Sequence, residues 1–259
     1  MNRRLVLATI AIALLATVAG CTAFFGGISD EQLDREQEYD DLRDSEADVA
    51  IDVEDGSLID GGEYRAVYDL DGTQELSLYR STIYRDEPLE IYSVRYWYPN
   101  GTEMTGSELD IEQGRSETTV HVPDENGTLA FSGETGRKTF RLPVYVQGSH
   151  EVTIPEGHRT SNFLFGDVSP NGYEREVVDG QERLRWDDLD TDDTISLRYY
   201  LTRDIPLFLG LVGTVFLLGG VGVAYYYRQV KRLREQREEF GVDVDVDDDS
   251  DGGPPPGLR

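Results

Sequence analysis

The chain has 259 residues, with 51 acidic and 24 basic side chains, a formal net charge of −27 and an isoelectric point near 4.3. This charge excludes nucleic acid as a partner, because phosphate recognition needs a basic surface that releases counterions. An excess of carboxylates, with Lys138 and Lys231 as the only lysines, is typical of proteins adapted to high salt. The 15 Tyr, 9 Phe and 2 Trp argue against intrinsic disorder.

Residues 1–21 have the organisation of a secretory signal, in which Arg3 and Arg4 precede an apolar run and small residues follow it. Cys21 is the only cysteine of the chain, so a disulfide within the chain does not explain it. The residues Val18-Ala19-Gly20-Cys21 resemble the lipobox of prokaryotic lipoproteins, whose cysteine becomes the lipid-bearing first residue of the mature chain. We therefore predict a lipid on Cys21. An ordinary cleaved signal or an uncleaved anchor is the alternative.

The segment 22–47 is dominated by charged residues. Ser29 and Gln32 have the spacing of a capping box at the start of a short helix. The apolar residues Leu33, Tyr39 and Leu42 are too widely spaced to bury one face of a helix well. We therefore predict an acidic stalk, mostly solvated, that connects the lipid to a folded domain.

Residues 48–204 alternate between apolar and polar side chains with a period of two, as in Val94, Tyr96 and Tyr98. Asn-Gly and Asp-Gly pairs, such as Asp71-Gly72 and Asn171-Gly172, separate the alternating runs and supply the positive φ angles of tight hairpins. About nine short strands with frequent turns predict an antiparallel immunoglobulin-like β-sandwich, so the domain is mainly β. A β-barrel is the alternative.

Two of the predicted turns also carry the N-glycosylation pattern. They are Asn100-Gly101-Thr102 and Asn126-Gly127-Thr128. Hairpin chemistry alone would explain an Asn-Gly pair. Because both turns are predicted at loop tips outside the cell, where a transferase reaches them, we predict that Asn100 and Asn126 are modification sites.

The segment 205–227 contains no charged residue and is long enough for a helix to span a bilayer. Tyrosines stand at both of its ends, as in an aromatic belt. Basic residues follow at once, beginning with Arg228, so the positive-inside rule places the C-terminus in the cytoplasm and residues 48–204 outside. We predict a disordered tail over 228–259, first basic and then acidic. Gly220 and Ala224 form a small-x-x-x-small pair through which two copies of the helix could associate.

This layout is similar to that of uncharacterised surface lipoproteins of halophilic archaea that carry a C-terminal membrane helix. The resemblance rests on Val18 to Cys21, on the stretch "ISLRYYLTRD" that runs into the helix, and on the acidic composition. It implies a surface location and supplies no activity or cofactor.

No motif of a catalytic or metal site stands out. The histidines His121, His150 and His158 lack metal-binding spacing, and one cysteine cannot build a zinc site. Nucleotide-binding loops and a nucleophile elbow are also absent from the sequence. We therefore expect no cofactor.

The acidic tail opens like an EF-hand loop at Asp247, Asp249 and Asp251, but Leu258 stands where a bidentate glutamate is required. We interpret this stretch as a disordered acidic tail.

The function predicted from the sequence is that of a non-enzymatic module on the cell surface, which binds or organises a component of the envelope. Its expected partners are the lipid bilayer and an envelope protein or membrane complex. The alternative is an ectoenzyme that hydrolyses glycans or peptides with a pair of carboxylates.

Overall fold

The computed structural model describes residues 27–56, 61–82 and 84–239. These residues belong to two compact units, one that ends at Thr202 and one that begins at Arg203. The predicted signal with Cys21, and residues 240–259 of the predicted tail, lie outside the described residues.

The first unit is mainly β, as predicted. Two short helices, α1 (Asp30–Leu33) and α2 (Asp40–Arg43), precede the strands, and a 3₁₀ turn lies at Gly106–Glu108. The strands are β1 (Val49–Glu54), β2 (Gly62–Asp69), β3 (Glu75–Ser81), β4 (Asp86–Pro88), β5 (Ile91–Trp97), β6 (Glu103–Thr105), β7 (Asp110–Gln113), β8 (Thr118–His121), β9 (Thr128–Thr135), β10 (Thr139–Pro143), β11 (Gly148–Thr153), β12 (His158–Arg159), β13 (Asp167–Ser169), β14 (Glu174–Val178), β15 (Gln181–Leu189), β16 (Thr194–Arg198) and β17 (Tyr200–Leu201).

Eight of these strands form one large sheet, in the order β14-β15-β11-β1-β2-β9-β5-β6. Smaller sheets are formed by β4-β3-β8-β7, β10-β16-β13 and β12-β17. The prediction of antiparallel pairing needs one correction, because β1 and β11 are parallel, with Val49 opposite His150. Parallel neighbours need a long crossover connection, and the nine strands between β1 and β11 in the chain provide one.

The inner face of the large sheet carries the main hydrophobic core. Alternate residues of each strand point into it, such as Val49, Ile51 and Val53 of β1, which are all almost fully buried. Aromatic rings fill much of the core, and the ring of Tyr68 stacks on that of Phe131 at 5.4 Å. The period of two in the sequence therefore corresponds to the two faces of the strands.

Part of the outer face of the large sheet, over β1, β2, β9 and β5, is covered by the N-terminal segment, residues 27–47. The first turn of this segment packs elsewhere, because Leu33 belongs to the main core. Tyr39 and Leu42 pack on Ala50, Ala130 and Val67 of the sheet, and Tyr39 is only 2% exposed. The prediction of a solvated stalk is therefore wrong for this described part. The sparse apolar residues are sufficient because the small side chains of Ala50 and Ala130 leave room for them on the sheet.

The strands of the large sheet run between two ends of the first unit. We call the end at which β17 lies the exit end, because the chain leaves the unit there. At this end Thr202 N donates to Gly157 O (3.0 Å), and Arg159 Nη1 donates to Gly180 O (3.2 Å) in the turn between β14 and β15. The pairing register of the large sheet shows which strand ends lie at the exit end. They are the start of β15, the ends of β11 and β1, the start of β2 and the end of β9. The far end holds the turn between β5 and β6 and the start of β9.

The second unit consists of helix α3 (Asp204–Glu239). Asp204–Arg237 is long and apolar enough to cross a membrane, and an 18-residue stretch within it has a mean hydropathy of 2.2. Residues 228–239 of the predicted disordered tail are helical. Strong helix formers and the Lys231–Glu235 pair (3.9 Å) one turn apart favour this extension.

Tyr39 provides a test of the packing of the N-terminal segment. Its hydroxyl bonds to Ser93 O and to Ser132 Oγ, each at 2.8 Å, and its ring is buried. We expect Tyr39→Ala to lower the free energy of unfolding of the detergent-solubilised chain by about 3–5 kcal/mol, and Tyr39→Phe by about 1 kcal/mol. Thr102→Ala is the control, since Thr102 is exposed in the turn between β5 and β6. Equal effects of the two alanine variants in chemical denaturation would contradict the packing described above.

Candidate functional site

A groove of about 570 Å³ lies on the outer face of the large sheet, between the N-terminal segment and strands β5 and β6. We call it the outer-face groove. Its lining consists of Glu36, Gln37, Glu38, Tyr39, Asp40, Arg95, Trp97 and Glu103.

The floor of the groove is built by strand alternation. Arg95 and Trp97 lie two residues apart on β5 and therefore face the same side, and Glu103 on β6 pairs directly with Trp97. Trp97 Nε1 donates to Glu103 Oε2 (3.2 Å), and Arg95 Nε lies 3.3 Å from Glu103 Oε1. Glu103 is thus held in place by both neighbours, while its side chain remains 52% exposed.

Arg95 has a structural task that limits its availability to a ligand. Its guanidinium donates to the carbonyls of Val94 (2.8 Å), Asp34 (3.1 Å) and Arg35 (3.2 Å). The side chain is largely buried and fastens the N-terminal segment to β5. The charge that the groove presents to solvent is therefore mainly that of the exposed carboxylates of Glu36, Glu38 and Asp40.

A second set of ion pairs fastens the same segment further along the sheet. Arg65 of β2 binds both carboxylate oxygens of Asp41 at 2.9 Å and one oxygen of Asp52 at 2.7 Å. Burial acts to lower the pKa of Arg65, but the hydrogen bonds with Asp41 and Asp52 outweigh it and raise the pKa. Burial also raises the pKa of Asp52. These contacts position α2 on the outer face and close one side of the groove region.

The most buried carboxylate of the described residues is Glu182 on β15, which is fully inaccessible. Arg175 Nε lies 2.9 Å from its Oε1 and Arg159 Nε lies 3.9 Å from its Oε2. The backbone N–H of Thr160 donates to Oε2 (3.2 Å), and the Thr160 hydroxyl donates to Oε1. Both carboxylate oxygens are thus occupied by donors, as expected for a buried charge with a structural role.

The histidines that the sequence singled out lie apart from one another in the fold. His150 is buried with Nδ1 2.9 Å from Gly148 O, and burial lowers its pKa. The buried ring of His158 packs edge-on against Tyr199 at 5.4 Å, and His121 lies 3.6 Å from Glu75. Within residues 27–56, 61–82 and 84–239, no three His, Cys, Asp or Glu side chains are grouped to hold a metal.

The two predicted glycosylation sites lie at the far end. Asn100 is exposed in the turn between β5 and β6, where its Oδ1 accepts a hydrogen bond from Thr102 N (2.9 Å) and Gly101 has a φ of 82°. Asn126 is exposed just before β9. The pairing of Trp97 with Thr128 brings the two turns to the same end of the sheet. Their modification remains a prediction.

Sequence reasoning did not identify the outer-face groove. One signal for it was available in β5, "IYSVRYW", whose residues are all buried in the structure. Trp97 adds a large apolar side chain on the face opposite to that of Val94 and Tyr96. Apolar residues on both faces indicate a strand that is covered on both sides, and the cover on the second face forms the groove.

The chain matches a family model described as a family of unknown function, DUF5803, over residues 45–245. The matched range contains every strand of the first unit and helix α3, and it begins after Cys21. Comparison with curated proteins gives no match. With most of its length inside the matched range, the chain belongs to the family of unknown function DUF5803.

Proposed function

We propose that this protein is a non-enzymatic module of the cell surface, anchored in the membrane by α3, whose β-sandwich binds or organises a component of the envelope of a halophile. The observation that carries the proposal is the direct connection between the two units. Only Arg203 separates Thr202, the last residue of the first unit, from Asp204, the first residue of the apolar helix. The family match includes both units, so their combination belongs to the family pattern.

The charge distribution supports an outward orientation of the β-sandwich. Arg228, Lys231 and Arg232 follow the apolar segment directly, and basic residues of this kind remain on the cytoplasmic side. The signal-like residues 1–21 support export of the sandwich. The acidic composition, nearly free of lysine, supports a high-salt environment.

We further propose a lipid on Cys21, which would tether the N-terminal side of the sandwich to the same membrane, as in the lipoproteins of halophilic archaea that the chain resembles. The support is the pattern Val18 to Cys21 and the absence of another cysteine in the sequence. Gly220 and Ala224 lie one turn apart on α3, and they support helix-mediated pairing of two copies in the bilayer.

The outer-face groove is the surface that we assign to partner binding. Trp97 and Tyr39 provide aromatic surface, and the carboxylates of Glu36, Glu38 and Glu103 favour a partner segment that carries basic groups. Hydrolysis is less well supported, because the most buried carboxylate of the described residues, Glu182, is occupied by Arg175 and Thr160.

Photo-crosslinking in intact cells tests the groove. A photo-reactive residue in place of Gln37, which lines the groove, is expected to give discrete adducts with an envelope component at the salt concentration of growth. The matched control is the same residue in place of Ser116, which is exposed in the turn between β7 and β8. Glu103→Lys is expected to reduce the Gln37 adduct several-fold, because it reverses the charge on the floor of the groove. Equal adducts at both positions would contradict the assignment.

Membrane extraction tests the two anchors. A spanning helix is effectively irreversible in its insertion, whereas one acyl chain binds only marginally. We therefore expect the full chain and Cys21→Ser to remain in membranes washed at alkaline pH, with Cys21→Ser accumulating as an unprocessed precursor of higher mass. Release of Cys21→Ser would show that α3 is not the main anchor. An unchanged mature mass would exclude lipid attachment at Cys21.

A further inference from the structure

Four large apolar side chains of the first unit are strongly exposed in its described part. They are Tyr84 (94%), Phe163 (85%), Leu164 (60%) and Val177 (50%). Single exposed apolar residues are common on soluble proteins, but several that share one end of a domain are candidates for an interaction surface. All four lie on turns or strand ends at the exit end, and we call this set the exit-end patch.

The position of Tyr84 follows from the direction of β3. This strand ends at Ser81, and Arg80 Nη2 donates to Glu134 O (3.3 Å) near the end of β9, which lies at the exit end. The turn between β3 and β4 that carries Tyr84 therefore extends beyond this end. Val177 lies on β14, opposite Glu182, close to the turn at Gly180 that contacts Arg159.

Phe163 and Leu164 occupy the tip of the loop between β12 and β13. Thr160 N donates to the buried carboxylate of Glu182, which fixes the base of this loop. Gly166 packs so closely against Thr160 O that a Cβ at this position would collide with that oxygen. The tip is ordered by Asn162, whose carbonyl accepts from Gly166 N (2.7 Å) and whose Oδ1 accepts from Leu164 N (2.9 Å). The loop thus has its own polar contacts and presents two apolar side chains to the outside.

This loop lies beside the last strand of the unit. β12 pairs with β17, with Arg159 opposite Tyr200, and the ring of Phe165 lies 5.9 Å from that of Tyr200. Three residues lie between Tyr200 and Asp204, where α3 begins, so the four steps along the chain span at most about 14 Å when fully extended. If α3 crosses the bilayer, this connection keeps Tyr200 and the loop beside it close to the membrane surface.

The exit end carries exposed charges of both signs. Arg85, beside Tyr84, lies 3.3 Å from Glu87, and Arg137 lies in the turn after β9 that follows the exposed Glu134. The fit to a lipid surface therefore comes from the aromatic and apolar side chains, because aromatic side chains prefer the interface between headgroups and hydrocarbon.

We propose that the exit-end patch inserts into the outer leaflet of the membrane that α3 spans. The proposal rests on the proposed function, because it requires α3 to be a membrane anchor. Its occupant is the lipid bilayer, and the inserted side chains are Phe163, Leu164 and Tyr84 with Val177 at the margin.

Site-specific labelling of the full chain tests the proposal. In a Cys21→Ser background, Leu164→Cys and Tyr84→Cys each carry an environment-sensitive fluorophore, and Thr102→Cys in the far-end turn is the matched control. The proteins are reconstituted into vesicles of phosphatidylcholine and phosphatidylglycerol. We expect blue-shifted emission and quenching by a lipid-borne quencher at positions 164 and 84, and quenching only by a soluble quencher at position 102. Adding Phe163→Ser to Leu164→Cys is expected to reduce the lipid-borne quenching, because Phe163 supplies the largest apolar surface of the tip.

Flotation of the same samples separates the possible failures. A chain that does not float with the vesicles would overturn both the anchoring by α3 and the insertion. A chain that floats, but whose label at position 164 behaves like the label at position 102, would overturn the insertion alone. Lipid-independent blue shifts that appear only at high protein density would identify a second copy of the chain as the occupant and would also overturn it.

Discussion

The short connection between β17 and α3 is the constraint on which the rest of the arrangement depends. β17 ends at Leu201 and α3 begins at Asp204, so the last strand cannot lie far from the first turn of the helix. Strand β12, which precedes the loop with Phe163, pairs with β17, so this loop lies at the same end of the first unit, whereas the turns with Asn100 and Asn126 lie at the other. In the proposed arrangement, lipid contact and partner contact are thus assigned to different parts of one small domain.

Burial of the central strands β1, β2, β9 and β5 on both faces gives the module its second feature. Their inner face packs on the smaller sheets, and their outer face is covered by the N-terminal segment through Tyr39, Arg65 and Arg95. This cover protects a hydrophobic strip of the sheet and also creates the groove in which Trp97 and Glu103 lie. The N-terminal segment has the composition of a linker, yet it contributes directly to the proposed binding surface. A domain that began at Val49 would lack this surface.

Local patterns predicted those features of the fold that depend on local chemistry. The alternation of Val94 and Tyr96, the Asn-Gly turn at Asn100 and the apolar run of α3 are read correctly because period and turn geometry are properties of neighbouring residues. The cover of the outer face was not predictable in this way. The burial of Tyr39 depends on Ala50 and Ala130, which meet only after distant strands have paired. The parallel pairing of β1 with β11 and the occupation of Glu182 by Thr160 likewise depend on contacts between distant parts of the chain.

The central claim is that the sandwich lies outside the cell and is held there by a helix that crosses the membrane. Protease treatment of intact cells that express the full chain with an epitope after Arg259 tests it most directly. The account predicts that the region from Ser29 to Asp204 is digested while the epitope survives, and that the epitope is digested only after the membrane has been made permeable. Loss of the epitope from intact cells would contradict both the orientation and the assignment of a cell-surface role.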